Sequence, residues 1–323
     1  MINVLLKTLT PYHSSAPGAD YVSLDGKFGR KGPGMFPCVR TRAMPVIVRG
    51  EDASTKRVYV PIMPANSLRH VIRANILSDI IDAFRGKYTL SADAYAAAWC
   101  GNASGNPEGI AASFAEISAV QMHPFLGLFG GGPRMIEGKI SVDNAWAWPQ
   151  DAATMASTYA DYANPSQVTD IVWKRRVDPI AKIGEDNVQV IANGVMEVTQ
   201  WCARALEKKE EGAEEEKSRG LQAFNAHEVV IPGVYFAWAI DFKRKPTQQQ
   251  LAAVLWAIQK MNGMHIGGGS ALGYGKVEVA DVMLDGNSIW AGGIDERYTD
   301  PWIECLDNIE PAAFESFAKK EGN

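Results

Sequence analysis

The stretch His265–Val279, HIGGGSALGYGKVEV, places five glycines within nine residues, directly before a strand-like alternation of apolar and polar residues. Glycine adopts positive φ without steric cost and lets another molecule approach the backbone closely. A P-loop would need glycine where Ser270 stands and Ser or Thr where Val277 stands. The dinucleotide fingerprint opens a helix, whereas this run precedes a strand. We therefore expect a backbone-lined turn whose N–H groups hold phosphates.

Two amphipathic helices and several strands surround this turn in the sequence. Thr247 and Gln250 predict a capping box at the start of the helix before the turn. Asn66 is the predicted N-cap of an earlier helix that runs to Phe84. The apolar stripe of that helix consists of Leu68, Val71, Ile72, Ile76, Ile80 and Phe84. Strands are predicted at residues 2–9, 45–49, 57–61, 136–147 and 229–242. This β–α–β … β–α–β order predicts an α+β protein with a ferredoxin-like (RRM-like) palm.

Insertions interrupt the predicted palm. Residues 11–37, rich in Gly, Pro and Ser, predict a long loop, and such loops are often functional or disordered. The Ala-rich residues 88–125 predict a helical insertion, and the polar residues 150–227 predict a second, loop-rich insertion. The predicted division is palm 1–87 with its basic loop, helical insertion 88–125, palm strand region 126–149, second insertion 150–227, palm 228–285 with the glycine-rich loop, and an acidic C-terminal extension 286–323.

The charge of the chain is unevenly distributed. The net charge of −5 in 323 residues disfavours a polyanionic partner at first sight. However, residues 1–76 carry eleven Lys/Arg against four Asp/Glu, and residues 277–323 carry three against eleven. The first segment therefore has a net charge of +7 and the second −8. This asymmetry indicates an anionic ligand at one face and favours head-to-tail contact between copies.

Metal, disulfide and membrane chemistry find no support in the sequence. The five histidines form no HExxH motif, and the four cysteines are far apart with no CxxC pair. No apolar run reaches the length of a membrane span, and the N-terminus lacks the pattern of a signal peptide. We expect a cytoplasmic protein without metal or other cofactor.

Four segments in order resemble the CRISPR-associated RAMP superfamily, in particular the backbone subunits of type III and type IV effector complexes. They are VPIMPANSLRHVIR at 60–73, GLFGGGPRMI at 127–136, the presumed thumb at 171–186 with its return at 228–242, and the glycine-rich turn itself. This resemblance implies a subunit, most similar to type IV, that binds CRISPR RNA. Several copies would stack head-to-tail as a filament along the guide with other effector subunits, and present the spacer for pairing with a target nucleic acid.

A subunit that holds RNA of any sequence needs phosphate contacts from cations and N–H groups, together with side chains that stack on bases. The resemblance and these requirements select four groups of candidate RNA-binding residues. The groups are Arg30, Lys31, Arg40 and Arg42 in the early loop; Ser67, Arg69, Arg73, Phe129, Gly130, Gly131 and Arg134 around the first helix; Lys174, Arg175, Arg176 and Lys182 in the thumb; and His265, Gly267, Gly268, Gly269, Ser270 and Tyr274 in the glycine-rich turn. Met135, Met261 and Met264 could pack near bases, but we expect each of them to fill the core.

Two alternatives remain open from the sequence. In type III backbone subunits a loop aspartate cleaves target RNA, and Asp20 and Asp25 are the candidates for such a residue here. Their flanking sequence, ADYVSLDGKFGRKGPG, departs from the type III pattern, so we assign no catalytic residue. The second alternative is a structural scaffold that binds no RNA, in which the glycines only permit close packing.

Overall fold

A computed structural model describes residues 1–18, 20–49, 55–101, 112–148, 168–175 and 224–319. The strands in these ranges are β1 (Ile2–Thr8), β2 (Asp20–Ser23), β3 (Phe28–Gly29), β4 (Met35–Val39), β5 (Ala43–Arg49), β6 (Thr55–Met63), β7 (Gly130–Gly131), β8 (Ile136–Glu137), β9 (Ile140–Val142), β10 (Ala145–Trp148), β11 (Thr169–Arg175), β12 (Phe224–Val230), β13 (Tyr235–Phe242), β14 (Val277–Leu284) and β15 (Asn287–Ser288). The helices are α1 (Ala65–Phe84), α2 (Ala92–Cys100), α3 (Phe114–Met122), α4 (Leu126–Phe129), α5 (Gln248–Lys260), α6 (Glu296–Cys305) and α7 (Pro311–Ala318). The predicted α+β class is confirmed.

The chain divides into two compact units. The larger comprises residues 1–15, 41–170 and 230–323, and the smaller comprises 16–40 and 171–229. The larger unit contains a sheet of order β15-β14-β1-β13-β10-β6-β5, with β9 also paired to β13. The smaller unit is built on the strand order β11-β12-β4-β2-β3. The predicted segment boundaries remain predictions.

Strand β1 is an interior strand of the larger sheet, and both of its edges are paired. It runs antiparallel to β13 on one side and to β14 on the other. Ile2, Val4 and Leu6 alternate with less buried residues, and all three are fully buried. This period of two is the signature of a strand that presents one face to the core. The core against this face includes the apolar side of α1 and of α5.

Helices α1 and α5 form largely as their sequences predict. The stripe of α1 is buried from Leu68 to Phe84, apart from the half-buried Val71. The capping box of Thr247 and Gln250 is present at the start of α5. The N-cap of α1 is Pro64, however, and not the predicted Asn66. The Ala65 N–H donates instead to Asn144 Oδ1, at 2.8 Å.

Several predicted strands are broken in the structure. Residues 136–147 contain the short strands β8, β9 and most of β10 rather than one strand. The predicted strand 229–242 is interrupted by a turn at Gly233, which has φ 91°. Residues 11–37, predicted as a loop, contain β2, β3 and part of β4. Gly233 allows the backbone to turn between the two strands because positive φ costs glycine little. Most of the predicted insertion 150–227, including its run of acidic and basic residues at 207–219, lies outside the described residues.

No helix in the described ranges is long and apolar enough to cross a membrane. Within the same ranges, no group of three or more His, Cys, Asp and Glu side chains is placed to hold a metal ion.

His123 ends α3 and holds the start of the next helical turn. Its Nδ1 accepts hydrogen bonds from the N–H groups of Phe125 and Leu126, both at 3.1 Å. Its ring also makes an edge-to-face contact with Phe314, with centroids 5.2 Å apart. Burial lowers the pKa of His123 to about 4. Protonation at Nδ1 would remove both hydrogen bonds, so the ring is held neutral.

We predict that His123 makes the protein less stable in acid. The unfolded chain takes up the proton near the ordinary pKa of 6.5, whereas the folded chain does so only near 4. The contribution is therefore fully present above pH 6.5 and is lost as pH falls towards 4, by up to about 3 kcal/mol. Urea unfolding of wild type and His123→Asn across this range measures the difference. An equal pH dependence in both proteins would contradict the prediction.

Candidate nucleic-acid interface

Arg69 lies in the first turns of α1 against the segment that contains Phe129. Its Nη2 donates to the Phe129 carbonyl oxygen at 2.6 Å, and its guanidinium lies 5.9 Å from the Phe129 ring centroid. Its Nε is buried without a hydrogen-bond partner. Desolvation lowers the pKa of Arg69. Arginine stays protonated in proteins, and among the described residues no carboxylate pairs with this half-buried guanidinium.

Arg73 lies one turn further along α1 and is buried, with 8% of its surface exposed. Its guanidinium stacks over Phe129 at 4.8 Å and donates to the Trp99 carbonyl oxygen at 3.4 Å. Desolvation, and then the charge of Arg69, lower its pKa to about 10. The predicted surface role of Arg73 is wrong for this structure, because α2 packs over the side chain.

Phe129 and the glycines after it serve packing inside the protein. The Phe129 ring is 3% exposed, so it offers no face for a base to stack on. Gly131 has φ 106°, and a Cβ there would lie 1.9 Å from the Gly101 carbonyl oxygen. Gly130 is buried, and a Cβ there would clash with the Ile136 carbonyl oxygen of β8. Phe129 and Gly130 are thus buried by packing, whereas the half-buried Gly131 also lines the groove beside Arg69, and its RNA binding stays a prediction.

The remaining residues of this group differ in exposure. Ser67 is half-buried beside Arg69. Arg134 forms an ion pair with Glu116 of α3, so its charge is already neutralised. Two further residues lie close by in one groove with Arg69: Met135, which the sequence analysis expected in the core, and Lys243, which it missed. The basic run at 243–245 was the available sequence signal for Lys243.

The glycine-rich turn is fastened to the chain that leaves β1. The N–H of Gly268 donates to the His13 carbonyl oxygen, and that of Gly275 donates to the Pro11 carbonyl oxygen, both at 2.8 Å. A Cβ on Gly267, which has φ 91°, would lie 2.6 Å from the same His13 oxygen. The turn thus needs glycine for close approach between two parts of this protein.

The tip of the turn is nevertheless open to solvent. Residues 267–273 are exposed, and Ser270–Leu272 form a single 3-10 turn. The exposed His265 bonds through Nδ1 to the Tyr274 carbonyl oxygen at 2.7 Å. Tyr274 itself is 8% exposed and packs beneath Gly269, so its predicted stacking on bases is wrong for this conformation. Gly267, Gly268, Gly269 and Ser270 are accessible, as a phosphate-contacting turn requires.

In the smaller unit, Arg40 is held within the protein. Its Nε donates to Glu228 Oε2 at 3.2 Å, its guanidinium stacks over Phe28 at 4.3 Å, and its Nη1 lies 3.7 Å from an Asp20 oxygen. Arg30 and Lys31 are exposed, as is Arg42 in the larger unit. Lys174 and Arg175 lie at the end of β11, whereas Arg176 and Lys182 lie outside the described residues.

Asp25 lies at the turn between β2 and β3 and is tied to its neighbours. Its carboxylate pairs with Lys27 at 2.7 Å and accepts a hydrogen bond from the Ser23 hydroxyl. These two contacts, with Lys27 first, lower the pKa of Asp25 to about 2. The group is ionised at neutral pH and cannot donate a proton there.

Comparison with known proteins gives a match in structure but not in sequence. Neither a protein-family model nor a curated protein sequence matches the chain. A chain of a type IV-B CRISPR complex aligns with a TM-score of 0.52 and 16% identity, over 94% of this chain and 98% of that chain. A chain of a type III-B Cmr-beta complex bound to cognate target RNA aligns with a TM-score of 0.37 and 13% identity, over 87% of this chain and 59% of that chain.

The match to the type IV-B chain spans nearly the whole of both chains. This chain therefore has the fold of a type IV-B CRISPR complex chain. The resemblance carried by the four sequence segments is confirmed at the level of the fold.

We predict that Gly267→Ala destabilises the protein far more than Gly273→Ala. Both glycines have positive φ, but a Cβ on Gly273 would point into open space. The first substitution adds a clash to the backbone strain and should cost about 3 kcal/mol. The second adds strain alone, about 1 kcal/mol. Urea unfolding of both variants measures the difference. Equal losses would show that the turn is not fastened to His13.

Proposed function

We propose that this chain is an RNA-binding backbone subunit of a CRISPR effector complex, most similar to type IV. Copies would bind head-to-tail along one CRISPR RNA, together with other effector subunits, and present the spacer for pairing with a target nucleic acid. The guide then supplies sequence specificity, while the protein binds the shape and charge of the strand.

The observation that carries this proposal is the half-buried, unpaired guanidinium of Arg69. A cation removed from water is costly unless an anion pairs with it. Among the described residues, none provides that anion to Arg69. An RNA phosphate would supply the missing charge and would accept a hydrogen bond from the guanidinium. Because every nucleotide carries the same phosphate, this contact does not depend on sequence.

The strand order supports the finer fold assignment on which the proposal rests. The consecutive strands β14, β1, β13 and β10 are all antiparallel neighbours. Helix α1 lies between β1 and β10 in sequence, and α5 lies between β13 and β14. A ferredoxin-like (RRM-like) palm has this β–α–β–β–α–β sequence. We assign β15, β6, β5 and β9 to additions around the palm.

The uneven charge of the chain supports assembly in a head-to-tail filament. Residues 1–76 are basic and residues 277–323 are acidic. Copies related by one rotation and translation along the RNA would bring the basic segment of one copy towards the acidic segment of the next. Complementary charge of this kind favours one register over others.

The contacts of the loop aspartates support binding rather than cleavage as the activity. Asp25 is engaged by Lys27 and Ser23, and Asp20 lies near the Arg40 guanidinium. Both carboxylates therefore have partners within the smaller unit. We propose that the subunit is not an enzyme.

We predict that Arg69→Gln weakens RNA binding and reduces its dependence on salt. Removing one phosphate contact should lower the slope of log affinity against log salt by about 0.7 for a single strand. Fluorescence anisotropy with a labelled oligouridine across a range of salt concentrations gives this slope. The glutamine retains the hydrogen bond to the Phe129 carbonyl in part, so the fold should be preserved.

Arg85→Gln is the matched control for this experiment. Arg85 follows α1 and is exposed, but it pairs with Asp82 at 2.5 Å. Its replacement should leave the slope unchanged. An unchanged slope for Arg69→Gln would remove the support for a phosphate contact at this position. No binding of RNA by the wild-type protein, even at low salt, would instead favour a scaffold.

A further inference from the structure

A groove of about 530 Å³ opens beside the first turns of α1. Its volume lies within the range of about 300–1,000 Å³ that is typical of small-ligand sites. One nucleotide is a ligand of suitable size. The lining includes Asn66, Arg69, Met135, Glu137, Ser141 and Lys243.

The charged groups of this groove favour an anion. Arg69 of α1 and Lys243, which follows β13, contribute positive charge to the groove. Glu137 is the acidic residue of the lining, and it is engaged by Lys243 at 2.8 Å and by Arg244 at 3.7 Å. The lining therefore carries two cations, Arg69 and Lys243, and one carboxylate, Glu137, a net charge of +1. A phosphate in the groove would be attracted by this excess of positive charge.

Met135 contributes an apolar side chain to the groove from a strained backbone position. Its φ is 53°, in the left-handed region, which costs a residue other than glycine roughly 1–2 kcal/mol. The side chain is 61% exposed, so the prediction that it fills the core is wrong. Glycine occupies positions 130–132 of the same run, whereas position 135 has methionine despite its positive φ. Strain of this kind tends to persist where a side chain has a function.

We propose that this groove receives one nucleotide of the bound RNA strand. Its phosphate lies against Arg69 and Lys243, and its base packs on the side chain of Met135. This inference rests on the proposed function, since it specifies how one nucleotide is held by an RNA-binding subunit. A flexible, polarisable thioether packs on many shapes of ring. The base contact is therefore independent of sequence.

The test combines a protein variant with a change in the RNA. Full-length wild type and Met135→Gly are titrated with a fluorescein-labelled oligouridine and with a matched strand in which abasic sites replace the bases. We expect Met135→Gly to bind the oligouridine about fivefold more weakly, at the lower end of what one base contact contributes. On the abasic strand the two proteins should bind equally, because the contact with the base is already absent.

Stability measurements and two further variants separate this role from a structural one. Glycine relieves the strain at position 135, so Met135→Gly should unfold at the same urea concentration as wild type or at a higher one. Met135→Leu keeps an apolar side chain and should bind oligouridine within about twofold of wild type. Met122→Ala removes a similarly exposed methionine of α3 that does not line the groove, and it should bind like wild type.

The outcomes distinguish this inference from the function on which it rests. Equal binding of oligouridine by Met135→Gly and wild type would overturn the base contact. An equal loss on both strands would overturn it as well, because the side chain would then act on the RNA backbone. Binding of neither strand by the wild-type protein would overturn the proposed function and the inference together.

Discussion

Arg73 is buried and Arg69 half-buried on α1, and neither has an acidic partner among the described residues, which constrains the arrangement around them. Arg69 and Arg73 share the face of Phe129, and each donates to a backbone carbonyl oxygen in place of a carboxylate. Carbonyl oxygens and an aromatic ring offset part of the desolvation cost, but they do not neutralise the charge. The end of α2 and the glycines after Phe129 must therefore pack closely enough to supply these contacts. Of these two arginines, Arg69 lines the groove, where it can meet an external anion.

Glycine has two separate roles in this protein, which the sequence alone does not distinguish. At Gly131 and at Gly267 the absent side chain makes room for a carbonyl oxygen of the same chain. At Gly273, at the tip of the glycine-rich turn, the backbone is exposed and an added Cβ would meet nothing within 4 Å. Close packing thus accounts for Gly131 and Gly267, whereas the proposed RNA binding concerns the exposed tip and the cations of the groove. Met135, in strained backbone at the groove, belongs with the second role.

Local patterns predicted the parts of the structure that depend on local physics. The buried stripe of α1 and the capping box of α5 follow from residues three and four apart, and both are present. The errors came from distant contacts. The Ala65 N–H is capped by Asn144, which is 79 residues away, and Arg73 is covered by α2 although its spacing from Arg69 indicated a shared surface. The placement of Phe129 and Tyr274 in the interior likewise depends on segments that pack over them. The groove with Met135 and Lys243 unites separate segments, so no single motif revealed it.

The most direct test of the account is to express the protein together with a CRISPR array and purify it under native conditions. The ratio of absorbance at 260 and 280 nm, the particle mass and the sequence of retained RNA are then measured. We expect high-mass particles that contain several copies of the chain and RNA of guide length. A monomer that carries no nucleic acid would contradict the claim that this subunit assembles along a guide RNA.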